Sequence, residues 1–88
     1  MLEIPGWEQR ILDLEPGEEL IFEVESKRYQ YWIVLEGWAC ATVASVSIDL
    51  EPGQVISLIP YSRAALKNTS NIKLKVLATS MEIIKKKV

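Results

Sequence analysis

With 88 residues the chain suffices for one domain and not for two, and its 49% hydrophobic content argues against disorder. A net charge of −2, with no strong concentration of Lys and Arg, argues against nucleic acid as a partner. The sequence has no histidine, which excludes mechanisms that use imidazole as acid, base or metal ligand; its one cysteine, Cys40, excludes an internal disulfide and ordinary structural zinc sites.

Helical periodicity is missing along the chain. Short stretches rich in β-branched and aromatic residues recur instead, broken by turn residues, which is the pattern of a sandwich or barrel. Met1–Glu8 lacks the basic and apolar regions of a signal peptide. Strands are expected at Glu8–Leu14, Glu19–Val24, Tyr29–Glu36, Trp38–Val43, Ser45–Leu50, Gln54–Ile59, Ala64–Asn68 and Ile72–Ser80. A basic tail with Lys85, Lys86 and Lys87 closes the chain. The whole therefore reads as one domain over 1–88, with its core at about 8–80 and a solvated tail at 81–88.

Two turns share one sequence. Asp13-Leu14-Glu15-Pro16-Gly17 recurs letter for letter as Asp49-Leu50-Glu51-Pro52-Gly53, each copy ending one strand and opening the next. Proline followed by glycine suits the central positions of a type II turn, because proline presets φ and glycine accepts the positive φ after it. A shared turn solution explains the repeat, and so do two similarly wound halves of a jelly roll, which is built from two Greek keys.

Tyr31-Trp32-Ile33-Val34-Leu35 is apolar on both alternating faces, whereas a strand wet on one side would alternate. One face can fill a barrel. The other, with Tyr31, Ile33 and Leu35, calls for a second sheet or a second subunit, so a homodimer is expected. That run is also far shorter than the ~20 residues of a membrane helix. With the lone cysteine, it points to a cytoplasmic protein that needs no membrane.

Gly17-Glu18-Glu19-Leu20, Tyr31 to Gly37, Leu50-Glu51-Pro52-Gly53, Ile59-Pro60 and Asn68 together resemble a cupin. The likeness is greatest to the C-terminal cupin domain of type II mannose-6-phosphate isomerases, including the bifunctional enzymes with mannose-1-phosphate guanylyltransferase activity. It runs from about Ile11 to Thr79. It implies an all-β, single-domain double-stranded β-helix (jelly-roll barrel), and a sugar-like small molecule as ligand. The first cupin motif is a glycine, five residues, His-x-His, three or four residues, a glutamate, six residues and a glycine. Anchored on Gly17 and Gly37, its histidine positions fall on Glu23 and Glu25 and its glutamate position on Gln30. The second motif runs Pro-x-Gly, two residues, His, three residues, Asn; Pro60 matches, the histidine position falls on Ala64 or Ala65, and Asn68 arrives one residue early. Every metal-ligand position is altered, so neither a metal nor another cofactor is expected.

Glu23 and Glu25 lie two apart in a strand and share a face. Two readings compete for them. The cupin register turns them into the barrel, where they would be candidate ligands for a hard cation or proton-transfer bases. Strand parity instead puts Leu20, Phe22 and Val24 inside and leaves the glutamates in water, since burying unpaired carboxylates is costly. Gln30 and Trp32 share a face of their strand; Trp32 either floors a ligand site, with Gln30 supplying polar contacts, or fills the core. Tyr61 and Arg63 follow Ile59-Pro60, near the barrel mouth by analogy with the family, where Arg63 suits a phosphate or carboxylate. Gln30, Trp32, Tyr61 and Arg63 are thus the candidate ligand-binding residues. Three functions follow: a non-catalytic binding or dimerisation module, a sugar or sugar-phosphate isomerase using Glu23 or Glu25, and a purely structural assembly protein.

Overall fold

The computed structural model describes residues 7–24 and 28–82, the side chains of Trp7 and Glu82 excepted. It contains eight strands: β1 (Trp7–Leu14), β2 (Glu19–Glu23), β3 (Arg28–Glu36), β4 (Ala39–Val43), β5 (Val46–Leu50), β6 (Val55–Leu58), β7 (Arg63–Asn68) and β8 (Leu74–Glu82). Each expected strand is present, with ends moved by one or two residues. No helix among the described residues is long and apolar enough to cross a membrane.

The strands form two four-stranded sheets, ordered β1-β8-β3-β6 and β2-β7-β4-β5, and every pairing is antiparallel. Advancing each strand of the first sheet by four places in chain order reproduces the pairings of the second. That relation is the double winding of a jelly roll.

The repeated pentapeptide sits at equivalent corners of the two halves. In each copy the leucine ends a strand and is buried, Leu14 on β1 and Leu50 on β5. The glycines carry φ of 83° at Gly17 and 91° at Gly53, values open to glycine at little steric cost. Glu18 N donates to Glu15 O at 2.9 Å and Gln54 N to Glu51 O at 3.0 Å. A side chain closes each turn from the same place: Glu15 N donates to Glu18 Oε1, and Glu51 N to Gln54 Oε1, both at 2.7 Å. The turns then dock on equivalent strands, Gly17 N to Asn68 O on β7 at 3.0 Å and Gly53 N to Val34 O on β3 at 2.8 Å. The repeat is therefore both a turn solution and a mark of the two halves.

The core lies between the sheets. Trp32, Val34, Leu58, Leu66, Leu74 and Val76 are its largest fully buried apolar members. Asn68, buried at the end of β7, is its main polar member. Its Nδ2 donates to Leu14 O and Ile72 O at 2.9 and 2.8 Å, while its Oδ1 accepts from Ser70 N and Ser70 Oγ at 2.9 and 2.6 Å. One amide thereby ties the end of β1 to the β7–β8 connection. No buried side-chain nitrogen or oxygen among the described residues lacks a partner.

Candidate functional site: a polar cleft at one end of the barrel

The inner faces of β1, β8 and β3 follow one rule: even-numbered residues point between the sheets, because strand side chains alternate. At the turn end these are Leu14, Leu74 and Val34, all buried. Towards the opposite end the same faces become polar. Register places Glu8 beside Ser80 and Ser80 beside Gln30, and places Arg10 beside Ala78 and Ala78 beside Trp32. Arg28 starts β3 one step further out. This end opens into a cleft of about 630 Å³ whose lining includes Glu8, Arg10, Phe22, Arg28, Gln30 and Ser80.

The floor of the cleft is held by two contacts. Trp32 is fully buried (0% exposed) and meets Phe22 edge-on, with ring centroids 5.8 Å apart at 78°. Its Nε1 donates to Gln30 Oε1 at 3.0 Å. On the rim, Arg28 Nη1 donates to Ser80 Oγ at 2.9 Å, which ties the arginine to the neighbouring strand β8.

Glu23 lies on the exposed face of β2, directly opposite Arg63 on β7, and also borders the cleft. The two approach to 3.7 Å, with side chains 74% and 71% exposed. The apolar residues at the end of β2, the half-buried Phe22 and the buried Val24, follow strand parity. Glu25 lies outside the described residues. Tyr61 belongs to the turn that returns to Val24, donating from its N to Val24 O at 3.2 Å, and its side chain is 82% exposed. Of the four candidate ligand-binding residues, the structure joins Gln30 and Trp32 directly, leaves Arg63 on the outer face, and leaves Tyr61 at the same end without lining the cleft.

Arg10, Arg28, Ser80 and Glu8 were not singled out as ligand contacts from the sequence. Their signal was parity: the inward series Leu14, Leu12 ends in Arg10 and Glu8, and Val76, Ala78 ends in Ser80.

The metal that the family motif implies can be tested against these residues. On the β2 and β7 side of this end, the inward positions carry Phe22, Val24 and the buried Ala64, none with a donor atom. Gln30, on the glutamate position, has its oxygen committed to Trp32. Among the described residues no group of three or more Cys, Asp or Glu side chains could hold a metal ion. Among the described residues the donor set does not fit a metal.

The two doubly wound sheets define a cupin fold, and comparison with solved structures agrees. The cupin domain of Schizosaccharomyces pombe Cnp3 superposes with a TM-score of 0.82 at 14% identity, over 93% of this chain and 60% of that one. A predicted oxalate decarboxylase from Thermotoga maritima gives 0.79 at 18% identity, over 85% and 65%. The cupin domain of an XRE family transcriptional regulator from Enterobacter cloacae gives 0.83 at 15% identity, over 90% and 84%. The chain thus spans less than two thirds of the first two. No protein-family model and no curated protein sequence matches the chain.

Proposed function

We propose that this chain is a metal-free, non-catalytic cupin module that binds a small polar molecule at the end of its barrel. One observation carries the reading: above a tightly packed floor, the inner faces of three adjacent strands turn polar together and converge on an open cleft. Polar side chains aimed inward along strands usually give way to carbon unless they have something to contact. The cytoplasm, where a lone cysteine such as Cys40 stays reduced, is the compartment that suits such a module.

Nothing in the geometry favours the sugar-phosphate isomerase reading over this one. A general base works best with burial to tune it, and Glu23 is largely exposed and paired with Arg63. A crystal structure after soaking with mixed polar fragments tests the binding reading. Density against Gln30 supports it; fragments that settle only elsewhere overturn it.

A second reading has an observation of its own. On the outer face of the first sheet, Ile11, Leu77, Ile33 and Val55 stand side by side in register across all four strands. Ile11 and Val55 at the row's ends are 48% and 53% exposed, and Tyr29, Tyr31 and Leu35 extend the patch along β3. Asp13 and Lys75, neighbours in register beside this row, leave it without net charge to repel a copy of itself. We propose that this face joins two copies into a homodimer, leaving both clefts open.

A further inference from the structure

We infer that the cleft selects an uncharged molecule by one carbonyl oxygen, such as that of a ketone, amide or lactam, and that Gln30 Nε2 is the donor that reads it. The inference rests on the ligand-binding reading above and names the class of ligand.

Trp32 sets the orientation of Gln30. An indole N–H can only donate, so the Gln30 atom facing it is the amide oxygen. That contact settles an orientation which amide geometry alone leaves open. The main chain of Gln30 is held on both sides as well, in register with Ser80 of β8 and Leu58 of β6. The NH₂ is left over. Gln30 is only 9% exposed, and its NH₂ has no hydrogen-bond partner among the described residues. No side-chain nitrogen or oxygen there is both sealed and unpartnered, so the NH₂ opens on the cleft that Gln30 lines. A donor this buried gains from an acceptor that reaches it. Already fixed before binding, it loses little freedom when a ligand arrives.

The lining sets the charge of that acceptor. The described charged residues around the cleft are Glu8, Glu23, Arg10 and Arg28, two of each sign. Such a lining offers an ion of neither sign a surplus of opposite charge. A carboxylate or an ammonium would still have to shed strongly held water to reach a nearly buried amide, and a neutral carbonyl sheds far less. Phe22 and Ala78 line the same cleft and give the carbon beside the carbonyl an apolar surface to meet.

The test uses probes that share one ring and differ in head group: cyclohexanone, cyclohexanecarboxylate and cyclohexylammonium. Each is titrated into ¹⁵N-labelled protein at constant ionic strength. Cyclohexanone should shift the Trp32 indole and Gln30 side-chain amide resonances saturably, and each ion should bind at least about tenfold more weakly. Gln30→Glu keeps an oxygen for the indole and puts a second oxygen where the donor was; it should weaken cyclohexanone binding by about tenfold or more, read at the Trp32 indole. Gln30→Met removes the donor without adding charge and should weaken it as much, circular dichroism confirming that both variants are folded. Binding that survives Gln30→Met, even where Gln30→Glu abolishes it, overturns the role of Gln30. Either ion binding as tightly as cyclohexanone at these resonances overturns the uncharged class and leaves the ligand-binding reading standing; no shift from any probe overturns both.

Discussion

Trp32 Nε1 donates to Gln30 Oε1 at 3.0 Å, between residues that point the same way along β3, so one hydrogen bond belongs to both the core and the cleft. Trp32 contributes apolar bulk to the barrel and needs one acceptor for its buried N–H. Gln30 supplies the acceptor and is thereby fixed in orientation. The residue that fills the barrel also decides what the cleft presents.

Separating the two roles of this pair gives the first prediction. Trp32→Ala should destabilise by about 3–5 kcal/mol through loss of a large buried side chain. Gln30→Met, which keeps much of the volume and leaves the indole N–H without a partner, should cost about 1–3 kcal/mol. Trp32→Phe combined with Gln30→Met should lose less than Gln30→Met and Trp32→Phe alone do in sum, because the unpartnered donor has gone as well. Urea unfolding followed by circular dichroism measures these variants against wild type.

The exposed pair Glu23 and Arg63 should matter little to stability. At 3.7 Å and with both side chains more than two thirds exposed, it is worth at most about 0.5–1 kcal/mol. Glu23→Gln and Arg63→Gln should each unfold within about 0.5 kcal/mol of wild type, and the difference should shrink in high salt. A loss above about 2 kcal/mol would show a role that this geometry does not contain.

Asn68 makes the opposite case. Its four side-chain hydrogen bonds close buried or half-buried groups, and its two N–H donors serve two backbone carbonyls. Asn68→Ala should cost about 2–4 kcal/mol by leaving these groups without partners. Asn68→Asp should cost more at neutral pH, since a carboxylate would confront the carbonyls of Leu14 and Ile72 in a buried site. Thermal unfolding of the two variants side by side gives the order, and an aspartate as stable as wild type would refute it.

Much of the fold was legible because its signals are local. Pro16-Gly17 and Pro52-Gly53 announce their turns, and apolar parity along β2 put Phe22 inside and Glu23 outside. The cleft was less legible. Gln30 and Trp32 could be read as sharing a face, but Arg10 is an ordinary exposed strand residue until β1 is known to lie beside β8, and β8 beside β3. Those pairings join residues far apart in the chain, such as Glu8 with Ser80 and Gln30 with Ser80, and no short-range pattern encodes them.

The outer face of the first sheet supplies the last prediction. Ile11 and Val55 sit at opposite edges of the apolar row that crosses β1, β8, β3 and β6, and both side chains reach solvent, so replacing them disturbs the core little. In a symmetric dimer each substitution counts twice, because the same patch serves both partners. Ile11→Lys with Val55→Lys places four positive charges in one interface and should convert a dimer to monomer at micromolar concentration, while stability measured within the monomer changes by less than about 1 kcal/mol. Sedimentation equilibrium compares the double variant with wild type. A wild-type chain already monomeric at that concentration, or a double variant that keeps the dimer mass, would show that this face does not join two copies.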